Sequence, residues 1–205
     1  SMLLLGLGGN RHGVEEWKKV FSEALLNNQR PNGLWDACGQ LPAQKRPLEE
    51  TNRVSSMWAM LALLRHGYDP RRFNLKSMMS PNTLTVSTEA IAVRLLLSEY
   101  GSPTSVHEST KELLQRQNTN GGWGWISGQA SDALAIGLTL YALRAVGTGD
   151  VVADALGAGD QFVIRTQLED GSCHVPGTKR KADNAPTETA NYWGTAWAVV
   201  GLLER

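Results

Sequence analysis

The sequence predicts an all-α protein built from repeated helical hairpins. Hydrophobic residues recur at helical spacing in one segment after another, and amphipathic segments alternate with segments that are apolar nearly all round. A short turn containing glycine recurs three times with the same spacing. No stretch shows the polar–apolar alternation of a β-strand. One supersecondary unit used repeatedly is typical of a stacked helical architecture.

The recurring turn has an aliphatic residue, a Gln four positions later, a Gly four positions after that, and an aromatic residue two further on. Its copies are Gln29, Gly33 and Trp35; Gln117, Gly121 and Trp123; and Gln167 and Gly171, with Cys173 in the aromatic position. A glycine with positive φ ends a helix, and the tryptophan then folds back as an apolar lid. We interpret these residues as a structural staple between repeats, with ligand contact by the tryptophans as the alternative.

This Leu-x-x-x-Gln-x-x-x-Gly-x-Trp pattern resembles the QW motif of the squalene–hopene cyclase family. That family shares an α/α toroid with protein prenyltransferases and with the thioester domains of complement-like proteins. The resemblance covers most of the chain from about Val14 to Arg205. It implies an α/α toroid, here a partial one with about four antiparallel helical hairpins, where the full toroids of the family have about six.

The predicted elements alternate between outer, amphipathic helices and inner, more apolar ones. Met2–Leu7 is the last turn of a helix, and Phe73–Met79 is a shrunken outer helix. The predicted helices are Val14–Asn28, Thr51–His66, Val86–Tyr100, Ser105–Arg116, Ser131–Val146, Val151–Arg165 and Thr189–Leu203.

Composition sets the remaining bounds. A chain of 205 residues that is 41% hydrophobic can bury a core as one domain over residues 1–205. Helical sequence at both ends, with an opening Ser1-Met2 that looks like an expression scar, predicts a fragment of a longer protein. Equal numbers of acidic and basic residues, 20 each, predict no nucleic-acid partner. No apolar run is long enough for a transmembrane segment, while peripheral membrane association stays open. Nothing indicates a cellular compartment.

Each inner helix begins with a hydroxyl beside a carboxylate: Glu50, Glu89, Asp132 and Glu188. In a toroid these acids share one rim, so Glu50, Asp132 and Glu188 are candidate catalytic acids whose pKa burial would raise. The alternative is ordinary capping of helix N-termini. Two basic loops, Lys45-Arg46 and Lys179-Arg180-Lys181, are predicted to be solvated, with phosphate binding as the alternative.

The motifs of specific enzymes are missing. The resemblance implies an Asp-x-Asp-Asp acid for triterpene cyclases, which this sequence lacks. Asp36-Ala37-Cys38 spells part of the prenyltransferase zinc site, but it lies in a loop. Cys38-Gly39-Gln40-Leu41 has Leu where a thioester domain needs Gln. The four histidines show no metal-ligand spacing. We therefore predict no metal and no cofactor.

The sequence favours a module that binds on its concave inner face rather than an enzyme. The expected ligand is an apolar, isoprenoid-like small molecule, and the other expected occupant is a peptide or partner protein domain. The candidate ligand-binding residues are Trp58, Tyr141, Tyr192, Trp193 and Trp197. The alternative is an isoprenoid cyclase or prenyl-transfer enzyme whose catalytic acid or metal site lies elsewhere in a longer chain.

Overall fold

The computed structural model describes residues 2–6, 14–80, 85–147 and 149–204, and within them the protein is all-α, without a β-strand. Its α-helices are α1 (Met2–Gly6), α2 (Val14–Asn27), α3 (Leu48–Arg65), α4 (Leu75–Met78), α5 (Thr88–Ser98), α6 (Pro103–Gln115), α7 (Ala133–Ala145), α8 (Ala153–Thr166) and α9 (Glu188–Leu203). Odd-numbered helices pack side by side as an inner layer, while α2, α6 and α8 lie outside. This arrangement is an α/α toroid, as predicted.

The predicted helices are all present, with differences at their ends. Helix α3 begins at Leu48 rather than Thr51, because Pro47 serves as its N-cap and the acidic Glu49-Glu50 pair occupies its first turn. The predicted Phe73–Met79 segment is reduced to the single turn of α4. Of the predicted Met2–Leu7 helix, Leu7 lies outside the described residues.

The three glycine turns share one geometry. The Gln side-chain nitrogen donates to the carbonyl of the glycine four residues later, at 2.8 Å for Gln29 and Gln167 and 2.9 Å for Gln117. The three glycines have φ of +79°, +87° and +83°, which is the left-handed region that favours glycine. The indole N–H groups of Trp35 and Trp123 each donate over 2.7 Å to the carbonyl of the aliphatic residue ten positions earlier. Each turn therefore folds back on the helix it ends.

A second repeated contact ties each turn to the inner helix that follows it. Two residues after the aromatic position, a backbone N–H donates to a side-chain oxygen: Ala37 to Asn52 (2.9 Å), Trp125 to Asp132 (2.7 Å) and Val175 to Asn191 (2.7 Å). Asp132 thus occupies the place that a neutral Asn fills in the other two repeats.

The core lies between the inner helices. Every residue of α7 from Ala133 to Leu140 is buried, and Glu89 alone escapes burial on α5. Helices α7 and α9 approach so closely that a Cβ on Gly201 would lie 2.5 Å from the Gly137 carbonyl oxygen. A Cβ on Gly137 would likewise overlap the backbone carbonyl of Trp197. Glycine is therefore required on both sides of this contact.

Two long loops meet at the rim where the inner helices begin, and we call them the clasp loops (36–47 and 172–187). The N–H of Lys45 donates to the Thr178 carbonyl at 2.9 Å, and the Arg180 Nε donates to the Gln44 carbonyl at 3.0 Å. The Lys45 Nζ donates to Asn184 Oδ1 at 2.7 Å. The clasp loops thus connect the segment before α3 to the segment before α9.

Replacing Gly137 by Ala should lower the free energy of unfolding by about 2–3 kcal/mol, because the added methyl forces α7 away from α9. Gly157→Ala on α8 is the matched control, since a Cβ there meets nothing within 4 Å. Removing an exposed helical glycine should raise the stability by up to about 1 kcal/mol. Urea unfolding of both variants tests the contact. Equal effects would show that the α7–α9 approach is not tight.

Asp132→Asn should change how stability depends on pH. Burial raises the pKa of Asp132 from 3.8 to about 6, against the opposing effect of the Ala135 and Trp125 N–H groups. Because its pKa is raised on folding, Asp132 binds its proton more tightly in the folded state, and this adds to the free energy of unfolding. The added free energy is complete below the pKa of the unfolded state and is lost as pH rises through about 6.

Between about pH 4 and about pH 7, the wild type should therefore lose up to about 3 kcal/mol of unfolding free energy that the variant does not lose. The variant should fold, because Asn52 and Asn191 make the equivalent contact in the other repeats. Urea unfolding across this pH range gives the two curves. Parallel curves would mean that the Asp132 pKa is not raised.

Candidate functional site

The candidate site is a cavity of about 910 Å³ between α2, α3, α7, α9 and the clasp loops. Five of the seven tryptophans of the chain line it: Trp35, Trp58, Trp125, Trp193 and Trp197. Aliphatic side chains of α2, α3 and α7 complete the apolar wall. This volume and this composition are typical of a small-molecule pocket.

The tryptophans reach the cavity from two kinds of element. Trp35 and Trp125 come from the turns that precede α3 and α7, and their positions follow from the turn geometry. Trp58 and Trp197 come from equivalent places on α3 and α9, and their ring centroids lie 5.8 Å apart. Tyr141 of α7 packs on the far side of Trp197, at 5.7 Å between centroids. Three inner helices therefore meet in one aromatic cluster.

A buried ion pair is set into the cavity wall. The Arg46 Nη1 donates to Glu89 Oε2 at 2.9 Å and to Ser87 Oγ at 3.2 Å, and only 2% of Arg46 is exposed. Its guanidinium carbon lies 5.3 Å from the centre of the Trp125 ring, within the range of a cation–π interaction. A buried charge needs such partners to offset its lost hydration.

Glu89 is the polar group that this network presents at the cavity. Its Oε1 accepts the indole N–H of Trp58 at 2.9 Å, while Oε2 accepts from Arg46. A carboxylate oxygen has two lone pairs, so these contacts leave Glu89 further capacity to accept hydrogen bonds. Both donors also fix the direction of the carboxylate.

Other polar side chains line the cavity on the side of the clasp loops. Arg30 forms an ion pair with Asp36, and Lys179 donates to the Gln40 side chain. Cys38 lies nearby as an exposed free thiol, and the other cysteine, Cys173, is free and buried. Charged and aromatic side chains are therefore in contact in the cavity wall, since Glu89 accepts from Trp58 and Arg46 packs on Trp125.

The three candidate catalytic acids lie outside this wall. Glu50 is buried, and its oxygens accept from the Val86 and Ser87 N–H groups, both at 2.9 Å, and from the Ser87 hydroxyl at 2.5 Å. Asp132 caps α7 through the Ala135 N–H at 2.9 Å and holds the Trp125 N–H. Glu188 is exposed in the first turn of α9. The capping alternative holds for Asp132, whereas Glu50 accepts from the segment before α5 and Thr187 caps α9 beside Glu188. A catalytic role for the three acids stays untested.

Three of the predicted ligand-binding residues, Trp58, Trp193 and Trp197, line the cavity. Tyr141 lies behind Trp197, where its hydroxyl accepts from Arg65. Tyr192 is 70% exposed and contacts Trp193 edge to face. It points away from the direction of Trp193, because one step along a helix turns a side chain by about 100°. The structure therefore brings together part of the predicted set.

Four residues line the cavity that the sequence did not predict there: Arg46, Glu89, Trp125 and Asp36. The predicted solvation of the Lys45-Arg46 loop is wrong for Arg46, which is buried. The partners that bury Arg46 lie 41 and 43 residues away along the chain. The residues next to Arg46 in the sequence therefore could not predict its burial. Trp125 did carry one, since it follows a repeated turn.

Among the residues that the structure describes, no group of three or more His, Cys, Asp or Glu side chains is placed to hold a metal ion. Within the same ranges, every helix is too short or too polar to cross a bilayer.

Comparison with known proteins identifies the fold. No family model matches the sequence, and no curated protein matches it. A solved structure that does match is a possible member of the GH105 family from Salmonella enterica subsp. enterica serovar Paratyphi A str. ATCC 9150. The match has a TM-score of 0.60 at 11% sequence identity and covers 92% of this chain. This chain spans 64% of the length of that structure.

These comparisons correct the expected family. The relation to squalene–hopene cyclases is wrong, because no family model or curated protein supports it and the matching structure is instead a possible GH105 member. The QW interpretation of the glycine turn is likewise unsupported, although the turn geometry itself recurs three times. What the chain shares with the matched structure is the α/α toroid fold.

Proposed function

We propose that this toroid binds a compact amphipathic small molecule in its tryptophan-lined cavity. The observation that carries the proposal is the convergence of five tryptophans on one cavity with a fixed carboxylate in its wall. Large aromatic rings supply most of the binding energy in such pockets, and a few placed polar groups fix the orientation of the ligand.

The aromatic cluster suits the apolar part of the ligand. Trp58 and Trp197 are held by each other and by Tyr141, so their ring faces are ordered before any ligand binds. Ordering these side chains in advance lowers the entropy cost of binding. A flat or chain-like apolar group is the natural complement to this surface.

The polar part of the ligand is expected at Glu89. Arg46 and Trp58 already hold this carboxylate, so a ligand hydroxyl or amide can donate to it without moving it. A ligand with a carboxylate at this point would be repelled by Glu89. We therefore expect a neutral head group that donates hydrogen bonds.

A glycosidase-like activity is the second candidate. It is favoured by the fold shared with a possible GH105 member and by two carboxylates, Asp36 and Glu89, along one cavity. Glycoside hydrolysis uses a pair of carboxyl groups, one of them protonated to act as the acid. Here each carboxylate already has a guanidinium partner in the protein, Arg30 for Asp36 and Arg46 for Glu89. Binding without turnover is therefore the first choice.

Trp193→Ala should weaken binding of an alkyl glucoside by about tenfold, or about 1.4 kcal/mol, because one aromatic wall of the cavity is lost. The probe is octyl glucoside below its micelle-forming concentration, compared with glucose and with octanol as the separate head and tail. Calorimetric titration gives the dissociation constants. The wild type should bind the complete probe more tightly than either part.

Trp17→Ala is the matched control, since Trp17 is 56% exposed on α2 and lies outside the cavity lining. Equal loss of affinity in both tryptophan variants, or no binding of any probe, would contradict the proposal. Release of nitrophenol from 4-nitrophenyl glycosides by the wild type, abolished by Glu89→Gln, would select the second candidate instead.

A further inference from the structure

Helix α9 exposes several bulky apolar side chains on one face, whereas Trp197 of the same helix packs on Trp58 and Tyr141. Tyr192, Trp193, Val199, Val200 and Leu203 are between 42% and 71% exposed. Ala196 is exposed in the middle of them. We call these six residues the α9 stripe. They occupy roughly one third of the helix circumference.

The buried face of the same helix carries small residues. Ala190, Gly194, Ala198 and Gly201 are the buried residues of α9, and the glycines allow α7 and the Val175 side chain to approach closely. Helix α9 belongs to the inner layer, where α3, α5 and α7 each have an inner helix on both sides, whereas α7 is the main helix neighbour of α9. The bulky stripe therefore indicates a face that another surface covers.

The spacing along the stripe is that of a helix–helix seam. The seam residues are separated by four, three and four positions, which is a heptad pattern over about one and a half heptads: Tyr192, Ala196, Val199 and Leu203. Trp193 and Val200 flank the seam seven residues apart. No charged residue interrupts α9 between Asn191 and Leu203, so the stripe is neutral and can pair with itself.

We propose that the α9 stripe docks against the α9 stripe of a second copy of this chain, related by a two-fold axis. From the usual surface areas of large apolar side chains, the exposed parts amount to roughly 500 Å² per copy. A two-fold contact would therefore bury about 1,000 Å² in total, the lower limit for a specific interface. A symmetric contact also needs one self-complementary surface, which the stripe supplies.

A membrane surface fits the stripe less well. Helices that lie in the membrane interface carry Lys and Arg beside their apolar face. Helix α9 has neither residue. A lipid surface is therefore the alternative that the experiment must separate.

The contact also bears on the cavity. Trp193 belongs to the stripe and lines the cavity, although 46% of the residue is exposed. A second copy on the stripe would cover this exposed part and shield that side of the cavity from solvent. The dimer itself rests on the stripe and does not depend on the proposed ligand.

Sedimentation velocity across the micromolar range tests the proposal. The wild type should sediment as a dimer, at twice 22.3 kDa. Leu203→Glu and Val199→Glu should weaken the dimer at least tenfold, because each places an unpaired charge in the seam. Val20→Glu on α2 is the control, since Val20 is 45% exposed and lies away from the stripe. Circular dichroism melting establishes that each variant is folded.

A cross-link gives an independent measure. Ala196→Cys, placed in a Cys38→Ser background, should form an intermolecular disulfide on mild oxidation, because Ala196 lies at the centre of the stripe. A wild type that stays monomeric, or a dimer weakened equally by Val20→Glu, overturns the proposal. So does flotation of the monomer with anionic phosphatidylserine vesicles that Leu203→Glu abolishes, which would assign the stripe to a membrane surface.

Discussion

One guanidinium group connects three successive parts of the inner layer, and the candidate site depends on it. Arg46 lies just before α3, donates to Ser87 and Glu89 where α5 begins, and packs on the ring of Trp125 before α7. Since Arg46 is almost wholly buried, its charge is tolerable only while these partners stay in place. The same contacts fix Glu89, and through it the indole of Trp58. The charged wall of the cavity and the order of the inner helices are thus set by one network.

Around that network, the repeated glycine turns define where side chains can lie. Each turn ends an outer helix by a Gln–Gly contact and then fixes the next segment through an N–H to Asn52, Asp132 or Asn191. In the repeat that carries Asp132, a carboxyl group accepts the backbone N–H that an asparagine accepts in the other two repeats. Burial of the carboxyl raises its pKa, while the backbone N–H groups that donate to it oppose this rise. A perturbed pKa here reflects packing, and it does not by itself mark a catalytic acid.

The fold was largely predictable because its signals are local. Periodicity within each segment and the glycine turns between segments predict the helices and their alternation, and the toroid is confirmed. The site was less predictable, since the burial of Arg46 depends on contacts more than 40 residues along the chain. Trp58, Trp193 and Trp197 do lie on the cavity, while their role in binding stays a prediction. The family assignment was wrong because the turn spacing reports how a helix ends, which is a requirement of geometry and not of one chemistry.

Two surfaces of the molecule carry aromatic side chains, the cavity wall and the α9 stripe, and they differ in how those side chains are held. Inside the cavity, Trp58 is held by a hydrogen bond to Glu89 and a ring contact to Trp197, so its orientation is determined by the protein. On the α9 stripe, Tyr192 and Trp193 contact each other edge to face and are 70% and 46% exposed. Ordered rings in a cavity wall suit a small ligand, whereas an exposed apolar helix face with heptad spacing suits another helix. Trp193 belongs to both surfaces, so covering the stripe and closing the cavity are physically linked. A contact made on the stripe should therefore alter ligand binding in the cavity, and a bound ligand should alter the contact on the stripe.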